Sequence, residues 1–322
     1  MKSRLATLFL VVTVISGCSR QAAKPSRISI AVIPKGTMHV FWKTVHAGAV
    51  KASRELDVDV IWKGPIKEDD RDAQIAVVED FISRGVSGIV LAPLDDAALR
   101  APVSNATKSG IPVVIFDSGL QGSDYISFVA TDNFKGGQIA GEHLAKLLNG
   151  KGSVIMLRYS EGSNSTMLRE KGFMDSMSKH PGLKVISSNQ YGGVTPESAY
   201  KASENLLSRF KDIDGIFCPN ESTTFGMLRA LQDGGFAGKI TFVGFDSSQQ
   251  LIDGMKKGQI QGLVLQNPMQ IGYMAVKALV QHLRGEQVEK RIDTGATLVT
   301  PQNMNDPKIK ELLQPDLEKW LK

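Results

Sequence analysis

The chain has 322 residues, enough for two domains of ordinary size, each with its own core. Its 42% hydrophobic and 22% charged residues are the composition of an ordinary soluble globular protein. The formal charge of +5 includes Lys2 and Arg4; without them 36 bases face 33 acids, too slight and too dispersed a surplus to argue for a nucleic-acid partner.

Residues 1–17 read as a secretory signal: a basic start at Lys2 and Arg4, an apolar stretch over residues 5–15, and the small pair Ser16-Gly17. The stretch is too short for a spanning helix. Ile15-Ser16-Gly17-Cys18 resembles the bacterial lipobox, with Ile where Leu is commoner. That resemblance implies cleavage before Cys18 and acylation of its thiol and new amino terminus. Several acyl chains hold a protein at a membrane as one chain cannot. An ordinary signal peptide with an incidental cysteine is the alternative. Residues 18–26, with Pro25, form a plain tether. Cys218, the second of the two cysteines, follows Ile216-Phe217 and reads as a small buried hydrophobe.

From Arg27 onward, short apolar runs alternate with helical patterns. The runs occupy residues 28–33, 58–62, 88–91, 113–116 and 126–130, with amphipathic stretches at 41–55, 72–84 and 97–109. The alternation then restarts, with runs at 154–157, 184–187, 215–217, 240–245 and 262–265 and helical stretches at 166–179, 196–210 and 223–234. Two sets of about five buried strands predict an α/β protein of two doubly wound parallel-sheet domains with a cleft between them. No tandem repeat is visible, so the halves match in pattern only.

In such sheets, ligands bind beyond the carboxyl ends of the strands. The runs end on Pro34-Lys35, Pro93-Leu94, Asp117-Ser118 and Thr131-Asp132, then on Arg158-Tyr159, Asn220-Glu221, Asp246-Ser247 and Gln266-Asn267. Phe41-Trp42 opens the first helix. Aromatic faces pack on the C–H faces of a sugar ring, and carboxylate, amide and guanidinium groups bond its hydroxyls. The charge run 67–72 (KEDDRD) reads instead as the solvated start of a helix. No phosphate loop, metal-ligand spacing or nucleophile motif is present, so no catalytic residue, metal or cofactor is expected.

At these residues the sequence resembles the bacterial sugar-binding proteins of ABC importers of the ribose-binding type, which have the type I periplasmic binding protein fold. The resemblance covers residues 27–303. It rests on residues 31–49, on Ile111 to Asp117 (IPVV-x-x-D), and on Asp132-Asn133 with Gly137 and Gly141. Arg169 to Phe173 (R-x-x-G-F), Pro219-Asn220-Glu221, Val243 to Asp246 (VGFD) and Gln266 to Gly272 (Q-x-P-x-x-x-G) complete it.

The resemblance implies that Phe41 and Trp42 stack on the sugar, Asp117 and Asp246 accept from its hydroxyls, Arg169 bonds ring or anomeric oxygens, and Asn220 and Gln266 donate and accept. His39, where the ribose-binding pattern has Asn, and Ser118, where it has a second Arg, are the eighth and ninth expected contacts. The aromatic expected near Val194 is missing unless Tyr191 substitutes. Loss of a guanidinium and one stacking wall changes the hydroxyl pattern that can be satisfied.

The resemblance further implies three crossovers, near Thr131, Gln266 and Gly295. One lobe would comprise 27–130 plus 267–294 and the other 131–266 plus 295–322. The implied protein is a monomeric, lipid-anchored binder in the periplasm or on the outer face of the cytoplasmic membrane. It would close on a monosaccharide or polyol and deliver it to a membrane permease. A same-fold sensor presenting the closed form to a kinase or chemoreceptor is the alternative. A sugar-responsive repressor would need a DNA-binding segment where this chain has its leader, and a glycosidase would need two spaced catalytic carboxylates.

Overall fold

The computed structural model describes residues 27–322. The signal segment 1–17, Cys18 and the tether to residue 26 lie outside the described residues.

The first sheet is built from β1 (Ser29–Ile33), β2 (Asp59–Trp62), β3 (Gly88–Leu91), β4 (Val113–Phe116) and β5 (Ser127–Ala130), joined by α1 (Val40–Leu56), α2 (Arg71–Ser83) and α3 (Arg100–Lys108). Helix α4 (Asn133–Leu147) leads into the second sheet: β6 (Gly152–Met156), β7 (Leu183–Ser187), β8 (Gly215–Phe217), β9 (Thr241–Phe245) and β10 (Gly262–Leu265). Its crossovers are α5 (Asn164–Ser178), α6 (Pro196–Arg209), α7 (Glu221–Asp233) and α8 (Gln249–Lys256). Strands β3, β4 and β10 are buried at every position, as sheets covered by helices on both faces require. The edge strand β2 is the most exposed of its sheet's first five strands.

After β10, α9 (Pro268–Leu283) returns to the first lobe, where Ile271, Ala275, Val276 and Leu279 join the core around Ile30, Val32 and Val45. Two further strands follow, β11 (Arg291–Asp293) and β12 (Thr297–Val299). The sheet orders are β11-β5-β4-β3-β1-β2 and β12-β10-β9-β8-β6-β7, the same winding twice. β11 pairs parallel with β5, whereas β12 runs antiparallel to β10. The second sheet is therefore mixed rather than wholly parallel. The reason is geometric: β11 points at the gap between the sheets, so the chain enters the second sheet from that side and must run away from it.

Each lobe holds a helix crossing with glycines on both sides. A Cβ on Gly48 of α1 would fall on the Met269 carbonyl of α9, and one on Gly272 would fall on that of Val45. Likewise Gly137 of α4 abuts the Arg169 carbonyl, and Gly172 of α5 abuts that of Phe134. Only glycine lets the backbones approach so closely. The tail adds α10 (Pro307–Leu313), whose Leu313 is buried in the second lobe, and α11 (Glu318–Leu321), which receives Arg54 of α1 on the carbonyls of Lys319 and Trp320. Cys218 is a free thiol buried in the second lobe.

Candidate functional site

The strand ends of both sheets meet in the gap between the lobes. Two aspartates occupy matching positions: Asp117 after β4 and Asp246 after β9. Each adopts left-handed backbone, φ 59° and φ 64°. Each donates its N–H to the neighbouring strand, Asp117 to Val129 and Asp246 to Val264, both at 2.9 Å. A non-glycine residue held at positive φ costs roughly 1–2 kcal/mol, and here both such turns carry a cavity-lining carboxylate. Neither residue is a helix cap; Ser248, not Asp246, caps α8 by accepting from Leu251 N.

Fourteen residues line one small cavity between the lobes, with about 30 Å³ of free volume. Eight of the nine expected contacts line this one cavity: His39, Phe41, Trp42 and Asp117 from the first lobe, and Arg169, Asn220, Asp246 and Gln266 at its second-lobe wall. Ser118 does not. It is fully buried behind the wall, and its hydroxyl accepts the Ser165 N–H at 3.1 Å, tying the lobes together.

Tyr191 is not the second aromatic wall either. Its ring carries the Arg158 guanidinium 4.5 Å from its centroid, and the aromatic that reaches the cavity is Tyr159, just beyond β6. The largest departure is Glu68. Far from being the solvated start of a helix, its side chain is 9% exposed and lines the cavity, while Asp70 caps α2 behind it. Lys35, Glu221, Ser165 and Thr166 complete the lining. Lys35 and Glu221 stand at strand ends legible in the sequence; Ser165 and Thr166 open α5.

Several of these groups are already spent on the protein. Asn220 caps α7, its carbonyl oxygen accepting from Thr223 N–H and hydroxyl at 3.3 and 2.6 Å. Trp42 is 2% exposed and meets Phe41 and Phe116 edge-on at 4.9 and 6.2 Å. Its N–H is donated to Glu68 at 2.8 Å. Trp42 is thus part of the core as well as the wall. The ammonium of Lys35 is saturated by Asp117 at 3.1 Å, Ser165 at 2.9 Å and Ser163 at 3.3 Å.

Other groups keep capacity for a guest. The Oε1 of Gln266 is buried with no partner, although its Nε2 donates to Asp246 Oδ1 at 2.8 Å. Arg169 places its guanidinium carbon over the Phe245 ring, 4.0 Å from the centroid, and donates to Asn133 Oδ1 and Pro219 O, both at 2.9 Å. Its Nη1 is 3.7 Å from Asp246 Oδ2.

The charges nearly cancel. Burial works against the His39 imidazolium, but Glu68 at 2.6 Å lifts its pKa to about 9. Burial likewise opposes ionised Glu68, yet His39, Lys35 and the Trp42 N–H bring it down to about 2. Burial raises Asp246, against the pull of Arg169. Glu221 has no cationic bonding partner; burial raises it to about 7, although His39 and the Phe41 and Val40 N–H groups favour its ionised form. The acidic and basic groups stand in pairs: Glu68 with His39, Asp117 with Lys35 and Asp246 with Arg169. Among the described residues, no cluster of His, Cys, Asp and Glu could hold a metal ion.

The lobes are clasped directly. Tyr159 donates to Glu68 at 2.7 Å, Glu221 accepts Phe41 N–H at 3.2 Å, and Asp96 N–H bonds Gly162 O at 3.0 Å. This geometry is a closed cleft.

A family model described as a periplasmic binding protein domain matches residues 30–287. The chain is 29% identical to the ribose import binding protein of Salmonella typhimurium over 303 residues, 93% of this chain and 99% of that one. A carbohydrate transporter solute binding protein from Agrobacterium radiobacter, solved in complex with D-arabinose, superposes with a TM-score of 0.87. It is 34% identical and covers 90% of this chain and 100% of its own. An ABC transporter solute binding protein from Agrobacterium vitis with bound D-fucose gives 0.85, 34% identity, and coverage of 89% and 100%. With its fold, its cleft and these likenesses in agreement, the chain belongs to the periplasmic binding protein family.

Proposed function

We propose that this protein captures a monosaccharide or related polyol between its lobes, closes on it, and delivers it to an ABC importer. The reading rests on one observation: eight side chains picked from the sequence for sugar chemistry converge on a single cavity fed by both sheets. A ligand can favour closure only by touching both lobes, and these groups come from each. Near-neutral charge in the cavity suits an uncharged guest, since a buried unpaired charge is costly. Phe41 and Trp42 supply the apolar wall, Asp117 and Asp246 accept hydroxyls, Gln266 accepts through its free oxygen, and Arg169 and His39 donate. The protein binds and does not catalyse.

The sheet assignments support lobes of 27–130 plus 267–294 and 131–266 plus 295–322, hinged where the chain crosses. Anchoring of a monomer through acylated Cys18, at the outer face of the cytoplasmic membrane or in the periplasm, completes the proposal.

Calorimetric titration of the mature protein with D-ribose, D-arabinose, D-fucose, D-allose and xylitol tests it. Saturable binding of at least one, abolished by Asp246→Ala, is expected. Absence of binding across the panel, or cleavage of a glycoside, overturns it.

A further inference from the structure

Glu68 makes three short bonds from a loop between β2 and α2. Its Oε1 receives His39 Nδ1 at 2.6 Å and Trp42 Nε1 at 2.8 Å, and its Oε2 receives the Tyr159 hydroxyl at 2.7 Å. The first two partners belong to its own lobe; the third belongs to the other. A carboxylate with both oxygens engaged in this way has little left for a guest, so Glu68 acts through its neighbours. Bonds to an ionised acceptor are the strong kind, and burial strengthens them further.

We propose, resting on the sugar-binding reading, that Glu68 is the positioning residue of the cleft: it orients His39 and Trp42 toward the ligand and latches the lobes through Tyr159. Two consequences follow from the geometry. With Nδ1 turned to Glu68, His39 offers the cavity its Nε2, which bonds none of the described residues. Because His39 is held as imidazolium, that nitrogen is a donor only, and the ligand must place an oxygen there. Tyr159 is itself set in place, since its N–H is donated to buried Glu170 Oε1 at 3.1 Å and Glu170 is paired with Arg158 at 2.7 Å. A chain of bonds therefore runs from the second lobe into the aromatic wall of the first.

The charged and titratable groups around the pair are Glu221 and Asp246 near His39, and Lys35, Arg169 and Tyr159 near Glu68. Burial and Glu68 hold the Tyr159 phenol well above its ordinary range, so it remains a donor.

The test uses full-length mature protein with Glu68→Gln, Tyr159→Phe and the double variant, each checked for cooperative unfolding. The first readout needs no sugar. The His39 ring protons, followed by NMR, should titrate with a midpoint near 9 in the parent and move toward 6.5 in Glu68→Gln. The second uses whichever of D-ribose, D-arabinose or D-fucose binds. Tyr159→Phe should weaken that sugar roughly tenfold, Glu68→Gln at least as much, and the double variant by less than the product. An unmoved His39 midpoint, or a Tyr159→Phe variant that binds as the parent does, overturns the assignment. If no sugar binds, the sugar reading falls, and the His39 midpoint alone decides the role of Glu68.

Discussion

The two lobes are one backbone plan carrying two chemistries. Each winds its sheet in the same order, crosses a helix pair at reciprocal glycines, and ends its fourth strand on a left-handed aspartate. Yet Asp117 meets an ammonium that also reaches two serines of the opposite lobe, while Asp246 meets a guanidinium and an amide at its own lobe's edge. Architecture repeats because packing rules are the same on both sides. The strand tips do not repeat, which suits the proposed sugar guest, since it would present different atoms to each wall.

Breaking the shared plan should have the largest effect. Gly48→Val and Gly137→Val each drive a side chain into a backbone carbonyl, and each should cost about 3 kcal/mol or more in urea unfolding. Similar losses would show that the two crossings are equivalent, whereas one tolerant site would show that the repetition is superficial.

The aspartates come next. Removing one partner of a buried ion pair costs about 3–5 kcal/mol, so Asp117→Ala and Asp246→Ala should both unfold more readily. They should differ in closure. Asp117→Ala loosens Lys35 and with it the bonds to Ser163 and Ser165, so its ligand-free form should open further in small-angle scattering than that of Asp246→Ala.

A smaller effect separates the walls by pH. Opening returns Glu221 to water, where a glutamate titrates near 4.5, whereas burial raises it to about 7 in the closed cleft. The closed form therefore holds the extra proton between these values. Affinity should be highest at and below about pH 4.5, fall as pH rises toward 7, and level off above. The slope should be at most about one decade per pH unit, and Glu221→Gln should flatten it.

The smallest effect probes a helix end. Asn149, just after α4, sits at φ 53°, and Asn149→Gly should stabilise by about 0.5 kcal/mol in thermal unfolding.

Much of this was legible in the sequence because strands buried on both faces are apolar runs with polar tips. The runs at 88–91, 113–116, 215–217 and 262–265 coincide with observed strands residue for residue. β11 and β12 were not separable, since Arg-Ile-Asp and Thr-Leu-Val carry no run to recognise. Glu68 was missed for a deeper reason. A loop carboxylate in a charged stretch looks solvated, and the groups that engage it, His39 and Trp42 of its own lobe and Tyr159 of the other, are all distant in sequence. Ser118 failed in the converse way: it sits at the right strand tip, but its hydroxyl is claimed by a backbone N–H from across the cleft. Local pattern reports which tips are polar; whether one stays free can depend on a contact from the other lobe, as at Ser118.

The position of α9 has a consequence for how the molecule is born. Ile271, Ala275, Val276 and Leu279 fill a face of the sheet begun at Ser29, so the earliest strands to leave the ribosome wait for nearly the last helix before that face is sealed. The first lobe cannot mature as an independent unit during synthesis, and cutting the gene after residue 130 would leave an apolar sheet open to water rather than half a working protein.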